Sequence, residues 1–341
     1  MGSRLKLLRK AKLKLCRKTF GQKGHVVETE QSLALRAAKL YYYQSLTTEE
    51  IAKELGLSRP KVSRLLSLAK RQGIVQIRIF DPSEDSRSLA NSLKIQHKLR
   101  AVHIVPVPDN ATEAEALERV ATFAGLYLNT FVQDNTVVGL AWGTTLTAIS
   151  KHLVPKATTN SNIVQLNGSG TVADMSNPHI EHVFSRFGKN YGARVHQFPV
   201  PAFFDYSDTK IALWRERSIK KITQLQQQAT VLMYSVGAIH ASVPSYVYEA
   251  GYLEPKDHQE LRRENVMGDI ATVFFRQDGS FDNIPLNTRA SGPDLTVIRQ
   301  AENAICVVAG RSKAQALKAA LAGSLLKELI VDEPTARLLL T

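Results

Sequence analysis

Apolar residues recur along the 341-residue chain with two different spacings. Between residues 31 and 71 they recur every three or four positions, which is the spacing of amphipathic helices. Beyond residue 100, short runs of consecutive apolar residues alternate with helical segments, as in chains that form a parallel sheet. The pattern therefore predicts a small helical domain followed by a larger α/β domain.

The first two predicted helices each have one apolar face. The first begins at Gln31, and the residues that share its apolar face are Leu33, Ala37, Leu40 and Tyr41. The second lies in TTEEIAKEL, where Thr47 or Thr48 is the predicted N-cap and two glutamates occupy the first turn. Gly56 ends this second helix.

A proline and several basic residues mark the start of the third predicted helix, which runs from Arg59 to about Arg71. Ser58 is the predicted N-cap, and Pro60 falls in the first turn, where a missing N–H costs no intrahelical hydrogen bond. In a helix-turn-helix, the N-terminal end of the second of the two helices contacts bases in the major groove. Here that helix is the third of the domain, and its basic start predicts DNA binding. The predicted DNA-binding residues are Thr48, Ser58, Arg59, Lys61, Ser63 and Arg64.

Two further segments complete this part of the prediction. After Gly73, the alternating run IVQIRIF predicts a strand, the wing of a winged helix-turn-helix domain over residues 31–80. The polar run DPSEDSRSLANSL, residues 81–93, predicts a linker that becomes helical, and the second domain then occupies residues 94–341.

The larger domain contains seven predicted strands separated mostly by helical patterns, among them KAQALKAALAGSLLKEL near the end of the chain. This alternation predicts a doubly wound, mainly parallel α/β sheet. The strands are predicted at residues 101–107, 136–142, 162–168, 193–200, 230–237, 268–275 and 303–310.

Glycines and hydroxyl groups follow several of these strands. Ligands of doubly wound sheets bind beyond the carboxyl ends of the strands, so these exits indicate a binding site. The second strand runs into GLAWGTTLTAI, where backbone N–H groups and two hydroxyls at a helix N-terminus suit a phosphate. The third runs into NGSG, and the last into AGRSKAQAL with its two cations. Together they favour a polar, phosphorylated ligand.

Five other side chains have two readings each. His179 and His182 have helical spacing for a metal, but they lack a third ligand in the sequence, and a surface or packing role is the alternative. Trp142 could stack on a ligand or fill the top of the sheet. Asp269, like Glu249, could accept sugar hydroxyls or serve only as a cap or turn residue. The sequence therefore predicts neither a metal site nor a cofactor.

Charge changes the picture most for the first quarter of the chain. Residues 1–80 hold 18 Lys plus Arg and 5 Asp plus Glu, so they carry the whole net charge of +13. A separated basic segment suits nucleic acid as a partner. Residues 1–30 form a basic leader that is either a disordered tail or an arm adding phosphate contacts. Two cysteines and no apolar run near 18 residues favour a cytoplasmic protein without a membrane partner.

The chain resembles the SorC family of bacterial sugar-sensing transcription regulators from about Gln31 to its end. The stretches that carry the resemblance are LTTEEIAKELGLSRPKVSRLLSLAKRQGIV, VVGLAWGTTL, VQLNGSG, NPHIEHVFSRFGKNYGARVHQFPVPAF, MGDIATVFFRQDGSFDN and VVAGRSKAQALKAALAGSLLKELIVDEPTARLLL.

The resemblance implies a winged helix-turn-helix ahead of an effector domain similar to sugar-phosphate isomerases. It also implies three partners: double-stranded operator DNA, a sugar, polyol or sugar-phosphate effector, and further copies of the chain in a dimer or tetramer. Many members carry Arg where this chain has Thr144, so the need for a phosphate stays open. The implied effector contacts are Gly143, Thr144, Thr145, Gly168, Ser169, Asp269 and Lys313.

Two other functions fit parts of the pattern. The first is a sugar-phosphate isomerase or deaminase with a nucleic-acid-binding appendage, for which His240 is the one candidate acid or base. The second is an architectural protein that binds DNA without regard to sequence. A sequence-specific regulator with no catalytic residues is the function that we expect.

Overall fold

The computed structural model describes residues 29–75, 84–108, 110–171, 178–239, 241–243, 245–249 and 251–340. The chain divides into two compact units, Met1–Arg78 and Ile79–Thr341. None of the helices within the described ranges is long and apolar enough to cross a membrane. The basic leader and most of the predicted wing lie outside the described residues.

The described part of the first unit, residues 29–75, contains three helices: α1 (Glu30–Tyr42), α2 (Thr48–Leu55) and α3 (Arg59–Arg71). Their apolar faces form one small core, in which Ala37, Ile51, Val62 and Leu65 are almost fully buried. Thr47 caps α2 in a capping box with Glu50, so Thr48 is the first helical residue and not the cap. Tyr41, predicted on the apolar face of α1, is 39% exposed.

A seven-stranded parallel sheet organises the second unit. The strands stand in the order β1-β9-β8-β5-β2-β3-β4, and every pairing between neighbours is parallel. Their bounds are β1 (Ala101–Val105), β2 (Val137–Leu140), β3 (Asn162–Gln165), β4 (Arg194–His196), β5 (Val231–Tyr234), β8 (Asn303–Val308) and β9 (Glu328–Asp332).

Helices cover both faces of this sheet, which confirms the doubly wound α/β prediction. Successive residues of a strand point to opposite faces. In β8, Ile305 and Val307 accordingly join one core, while Cys306 and Val308 join the other. The helices are α4 (Glu84–Gln96), α5 (Glu113–Leu128), α6 (Thr144–Ser150), α7 (Pro178–Tyr191), α8 (Ser207–Leu213), α9 (Arg217–Gln227), α10 (Tyr246–Glu249), α11 (Pro255–Arg263), α12 (Leu295–Gln300), α13 (Ala314–Ala322) and α14 (Glu333–Leu338).

Residues 268–275 were predicted to form one strand of the parallel sheet, and this prediction is wrong. This segment forms an antiparallel hairpin, β6 (Val266–Ile270) and β7 (Val273–Arg276), that is not part of the parallel sheet. The chain reverses at Ala271 and Thr272, both of which have positive φ. Two backbone hydrogen bonds between Gly237 and Asp269 attach the hairpin to the end of β5.

Two further boundaries differ from the prediction. The last predicted helix ends at Ala322, and residues 328–332 form β9. Because β9 lies between β1 and β8 in a sheet covered on both faces, all five of its residues are buried. From residue 84 onward, the predicted linker is helix α4, whose Leu89 and Leu93 are buried in the core of the second unit.

Candidate functional site

A small cavity lies where the strand order of the sheet reverses. From β2 the chain proceeds outward through β3 and β4, whereas β5, β8 and β9 proceed toward the other edge. Such a switch point is where doubly wound sheets bind ligands. The cavity has a volume of about 40 Å³ and is lined by Ala141, Trp142, Gly143, Thr144, Thr145, Asn167, Ser235, Val236, Gly237, Ser245, Tyr246, Val247, Asp269, Ala271, Thr272 and Lys313.

The loop after β2 supplies three of the predicted effector residues. Gly143 has a φ of 142°, which a side chain would strain, and it is the N-cap of α6. Thr145 is buried, and its Oγ1 donates to Ser235 Oγ at 3.1 Å. Thr144 is half-buried and lines the cavity beside it. These two threonines thus contribute polar groups to one wall.

Asp269 comes from the hairpin and is buried beside Gly237. Its Oδ2 accepts a hydrogen bond from the Thr272 N–H at 3.2 Å, while Oδ1 has no hydrogen-bonding partner among the described residues. A Cβ at Gly237 would lie 2.0 Å from Oδ1, so only glycine allows this approach. Burial raises the pKa of Asp269 to about 6, although the Tyr248 hydroxyl, the Thr272 N–H and Lys313 act to lower it.

Lys313 is the buried cation of the cavity. It ends the short 3₁₀ turn Arg311–Lys313 after β8 and is only 5% exposed. Burial lowers the pKa of its ammonium group, against the raising influence of Asp269, Cys306 and Glu113. No carboxylate in the described part of the chain lies within 4.0 Å of it. A buried cation without a close counter-ion is costly, which is typical of a binding site.

Asn167 lines the cavity and begins the NGSG strand exit, but it is not among the predicted effector contacts. It follows β3, is 1% exposed, and its Oδ1 has no hydrogen-bonding partner within the described ranges. The signal was its position as the first polar residue beyond the buried end of a strand, directly before the Gly168 that was singled out. Ser235, at the same position after β5, was not predicted either.

Gly168 and Ser169 are not among the residues that line the cavity. The Gly168 N–H donates to Ser291 Oγ at 2.9 Å, and a Cβ there would lie 2.3 Å from the Val200 carbonyl oxygen. The Ser169 carbonyl accepts a hydrogen bond from the Tyr252 hydroxyl at 3.1 Å. Close packing of two chain segments thus explains the glycine.

Trp142 has the packing role that was one of its two readings, and its stacking on a ligand stays a prediction. Its Nε1 donates to the Gly168 carbonyl at 2.9 Å, and its ring contacts that of Tyr252 at a centroid distance of 5.1 Å, so it fills the sheet top. It also lines the cavity. His240 and the side chain of Glu249 lie outside the described residues.

His179 and His182 lie on the exposed side of α7. His179 Nε2 is 3.4 Å from Thr147 Oγ1. Within the described ranges, no three His, Cys, Asp or Glu side chains converge as a metal site would require.

In the first unit, most of the predicted DNA-binding residues share one exposed surface. Ser58, Arg59, Ser63 and Arg64 are exposed at the N-terminal half of α3, and the Ser58 hydroxyl makes no capping hydrogen bond. Thr48 is half-buried at the start of α2. Lys61 donates to Glu30 Oε1 at 2.9 Å, an ion pair that contact with DNA would have to replace.

Two family models match the chain. The sugar-binding domain model matches residues 81–341, and the model of sigma-70 region 4, a helix-turn-helix, matches residues 37–72. These ranges correspond to the sheet unit and to most of α1 to α3. Each match thus falls on one of the two compact units.

Similar proteins include several regulators of sugar-related operons. The chain is 33% identical to the deoxyribonucleoside regulator of Bacillus subtilis, over 91% of this chain and 97% of the relative. It is 24% identical to the sorbitol operon regulator of Klebsiella pneumoniae, over 90% of this chain and 97% of that protein. The alignments cover nearly the whole of each protein.

Solved structures of two similar regulators have the same fold as this chain. A domain of a possible sugar-binding transcriptional regulator from Arthrobacter aurescens is 43% identical, matches with a TM-score of 0.71, and aligns over 76% of this chain and all of that one. The full-length sorbitol operon regulator of Klebsiella pneumoniae is 22% identical, with a TM-score of 0.72 over 91% of this chain and 98% of that one. The chain therefore belongs to the SorC family of sugar-binding transcriptional regulators.

Proposed function

We propose that this regulator binds operator DNA through the exposed start of α3 and is controlled by a sugar, polyol or sugar phosphate that occupies the cavity above β2, β3 and β5. The observation that carries the proposal is that Asp269 and Lys313 line the same cavity. Both are buried, and Asp269 Oδ1 has no hydrogen-bonding partner among the described residues.

The polar groups of the cavity suit a small polyhydroxylated molecule. Asp269 Oδ1 and Asn167 Oδ1 are buried acceptors without partners, and sugar hydroxyls are the donors that would satisfy them. Lys313 supplies a cation for an anionic end of the ligand, beside the two threonines. The predicted contacts Gly143, Thr144, Thr145, Asp269 and Lys313 belong to this proposed site, with Asn167 and Ser235 added.

Binding must enlarge the cavity, because about 40 Å³ holds water and not a sugar. Part of its wall is α10 with the residue before it: Ser245, Tyr246 and Val247. Movement of this short helix would admit the effector. That movement is also how the sheet unit would register that the ligand is present.

For DNA, the exposed start of α3 carries the proposed readout. Arg59 and Arg64 can bind guanine bidentately, while Ser58 and Ser63 can reach phosphates or base edges. A homodimer or tetramer would place two such helices on the two halves of a palindromic operator. DNA contact by Lys61 requires its ion pair with Glu30 to open.

We propose regulation without catalysis, although one observation favours the enzyme alternative enough to test it. Asp269 and Lys313 both have pKa values shifted toward neutrality by burial, as in acid/base pairs. Turnover of a sugar phosphate by the purified protein, lost in Asp269→Asn, would replace the proposed function with an isomerase. We expect none.

The proposal is tested by thermal denaturation with matched sugars and polyols, with and without phosphate. A ligand at about 100 times its Kd stabilises the native state by about 2.7 kcal/mol, which raises the Tm measurably. We expect one class of compound to raise Tm in the wild type and to have no effect on Lys313→Ala. Lys318→Ala, on α13 outside the cavity, is the matched control.

One result would contradict the proposed site, and another would contradict only its role in binding phosphate. If Lys313→Ala responds like the wild type, the effector binds elsewhere. If only unphosphorylated compounds raise Tm, the phosphate role of the loop Gly143, Thr144 and Thr145 is wrong, while the site itself stands.

A further inference from the structure

A second polar depression lies between α5, α6 and α7, with a volume of about 330 Å³. We call it the α6–α7 crevice. Two side chains, Thr144 and Tyr246, line both the crevice and the cavity. The crevice and the cavity are therefore neighbours.

Two stripes of side chains, one on each helix, face this crevice. On α7, His179, His182 and Arg186 follow one another at spacings of three and four residues, so they share one side of the helix. Thr144, Thr147 and Lys151, along α6 and the residue that caps it, have the same spacing. The contact of 3.4 Å between His179 Nε2 and Thr147 Oγ1 joins the stripes.

The charge of the crevice is one-sided. Lys151 and Arg186 are cations, and the two histidines can donate hydrogen bonds from their rings. Glu118 is the acidic residue that lines the crevice, and its carboxylate is already shared by His152 at 2.7 Å and Lys151 at 3.9 Å. In the described part of the chain, no carboxylate lies within 4.0 Å of Arg186, whose Nη1 donates to Ser150 Oγ.

From this arrangement we propose that the α6–α7 crevice binds an oxyanion group, phosphate or carboxylate, beside the sugar cavity. The guanidinium of Arg186 is suited to two oxygens of such a group, and Lys151 supplies a second charge from the opposite helix. Thr147 and the histidines supply neutral donors between them. The group belongs either to a second anionic end of the effector or to a separate small anion.

Inorganic phosphate is the probe for the site, titrated into the full chain by calorimetry at constant ionic strength. We expect saturable binding whose Kd rises at least tenfold in the double variant Arg186→Gln, Lys151→Gln. Lys189→Gln, one turn further along α7 and outside the crevice, is the control for general charge and is expected to bind as the wild type does.

The inference is overturned if the double variant binds phosphate with the wild-type Kd, or if Lys189→Gln weakens binding equally. It is also overturned if Lys313→Ala abolishes phosphate binding while the double variant retains it, because the anion then occupies the sugar cavity. Lys151 is exposed and Arg186 is half-buried, so the Tm of the double variant is measured beside that of the wild type to show that both are folded during the titration.

The source of the anion is resolved with glucose 6-phosphate and glucose 1,6-bisphosphate. A bisphosphate that binds more tightly than the monophosphate, with the difference lost in the double variant, assigns the crevice to the effector's second anionic end. Equal binding of both, with inorganic phosphate still bound beside them, assigns it to a separate anion. The first assignment rests on the proposed function; the phosphate titration does not, so the two can fail separately.

Discussion

At the scale of single residues, the site consists of polar groups that the fold has removed from water without fully pairing them. Asp269, Asn167 and Lys313 are each at most 5% exposed. Each such burial costs free energy that a ligand can recover by supplying the missing partner. This cost distinguishes the cavity from the turn at Gly168, where every polar contact described is already satisfied within the protein.

The buried carboxyl of Asp269 predicts a pH-dependent term in stability. Its pKa of about 6 exceeds the ordinary value of 3.8, so the native state holds this proton more tightly than the unfolded chain. The stabilising contribution is therefore complete below about pH 4 and is lost as pH rises through 6, by up to about 3 kcal/mol. The Asp269→Asn variant has no carboxyl at this position, so it lacks this pH-dependent contribution to stability.

Urea denaturation of both proteins between pH 3.5 and 7.5 measures the effect. The free energy of unfolding of wild type minus variant is expected to fall with rising pH across this window, because all other titrating groups are common to both. A difference that stays constant with pH would mean that Asp269 has an ordinary pKa.

Which residues bear the site was only partly predictable from sequence. Thr145, Asp269 and Lys313 were named from the sequence: Thr145 from the loop after the second strand, and Asp269 and Lys313 as contacts that the family resemblance implies. Asn167 and Ser235 were not predicted as contacts, since a lone polar residue beyond a strand looks the same whether it faces a cavity or a turn. Only the tertiary arrangement shows that their side chains point to the same place.

At the scale of elements, sequence pattern worked where helix caps and apolar faces were strong. The bounds of α3 and its buried residues follow from Ser58, Pro60 and the spacing of Val62, Leu65, Leu66 and Ala69. The hairpin was missed because its turn uses Ala271 and Thr272 in left-handed conformations, which such residues rarely adopt. β9 was missed because its apolar run continues the helical pattern of α13.

The start of α3 predicts a position-dependent loss of DNA affinity. Arg59→Ala and Arg64→Ala each remove a side chain able to contact bases, at an expected cost of about 1 to 3 kcal/mol in operator binding. Lys70→Ala, exposed at the other end of the same helix, should change affinity little and serves as the control.

Fluorescence anisotropy with operator and scrambled DNA measures this loss. The arginine variants should lose preference for the operator, with Tm unchanged because both side chains are exposed. Equal loss on both DNAs would instead support the architectural, sequence-independent alternative.

At the scale of the whole molecule, the uneven distribution of charge separates DNA binding from ligand binding. Residues 1–80 carry the net charge of +13, and the remaining residues are balanced. The sheet unit can thus bind a small ligand without attracting DNA to its own surface. The proposed control of DNA binding by a ligand then requires a conformational change that links the two units.

Such coupling predicts a reciprocal effect. An effector that changes operator affinity fivefold to about 150-fold must have its own affinity changed by operator DNA by the same factor, equivalent to about 1 to 3 kcal/mol. Calorimetric titration of the effector with and without operator measures this factor.

Asp269→Asn should weaken effector binding without changing operator affinity in the absence of effector. Effector binding that is unaffected by DNA would exclude control by this ligand.

The position of β9 has a consequence for synthesis of the protein. β1 pairs with β9 from Ala101 with Glu328 to Val105 with Asp332, so the first strand of the sheet meets its partner only after more than two hundred further residues have been added. On the ribosome, α1 to α3 can fold early from local contacts, whereas the sheet must wait. A premature stop codon at or before position 328 would remove the strand between β1 and β8. The product would keep α1 to α3 but lack an intact sheet to carry the proposed effector site.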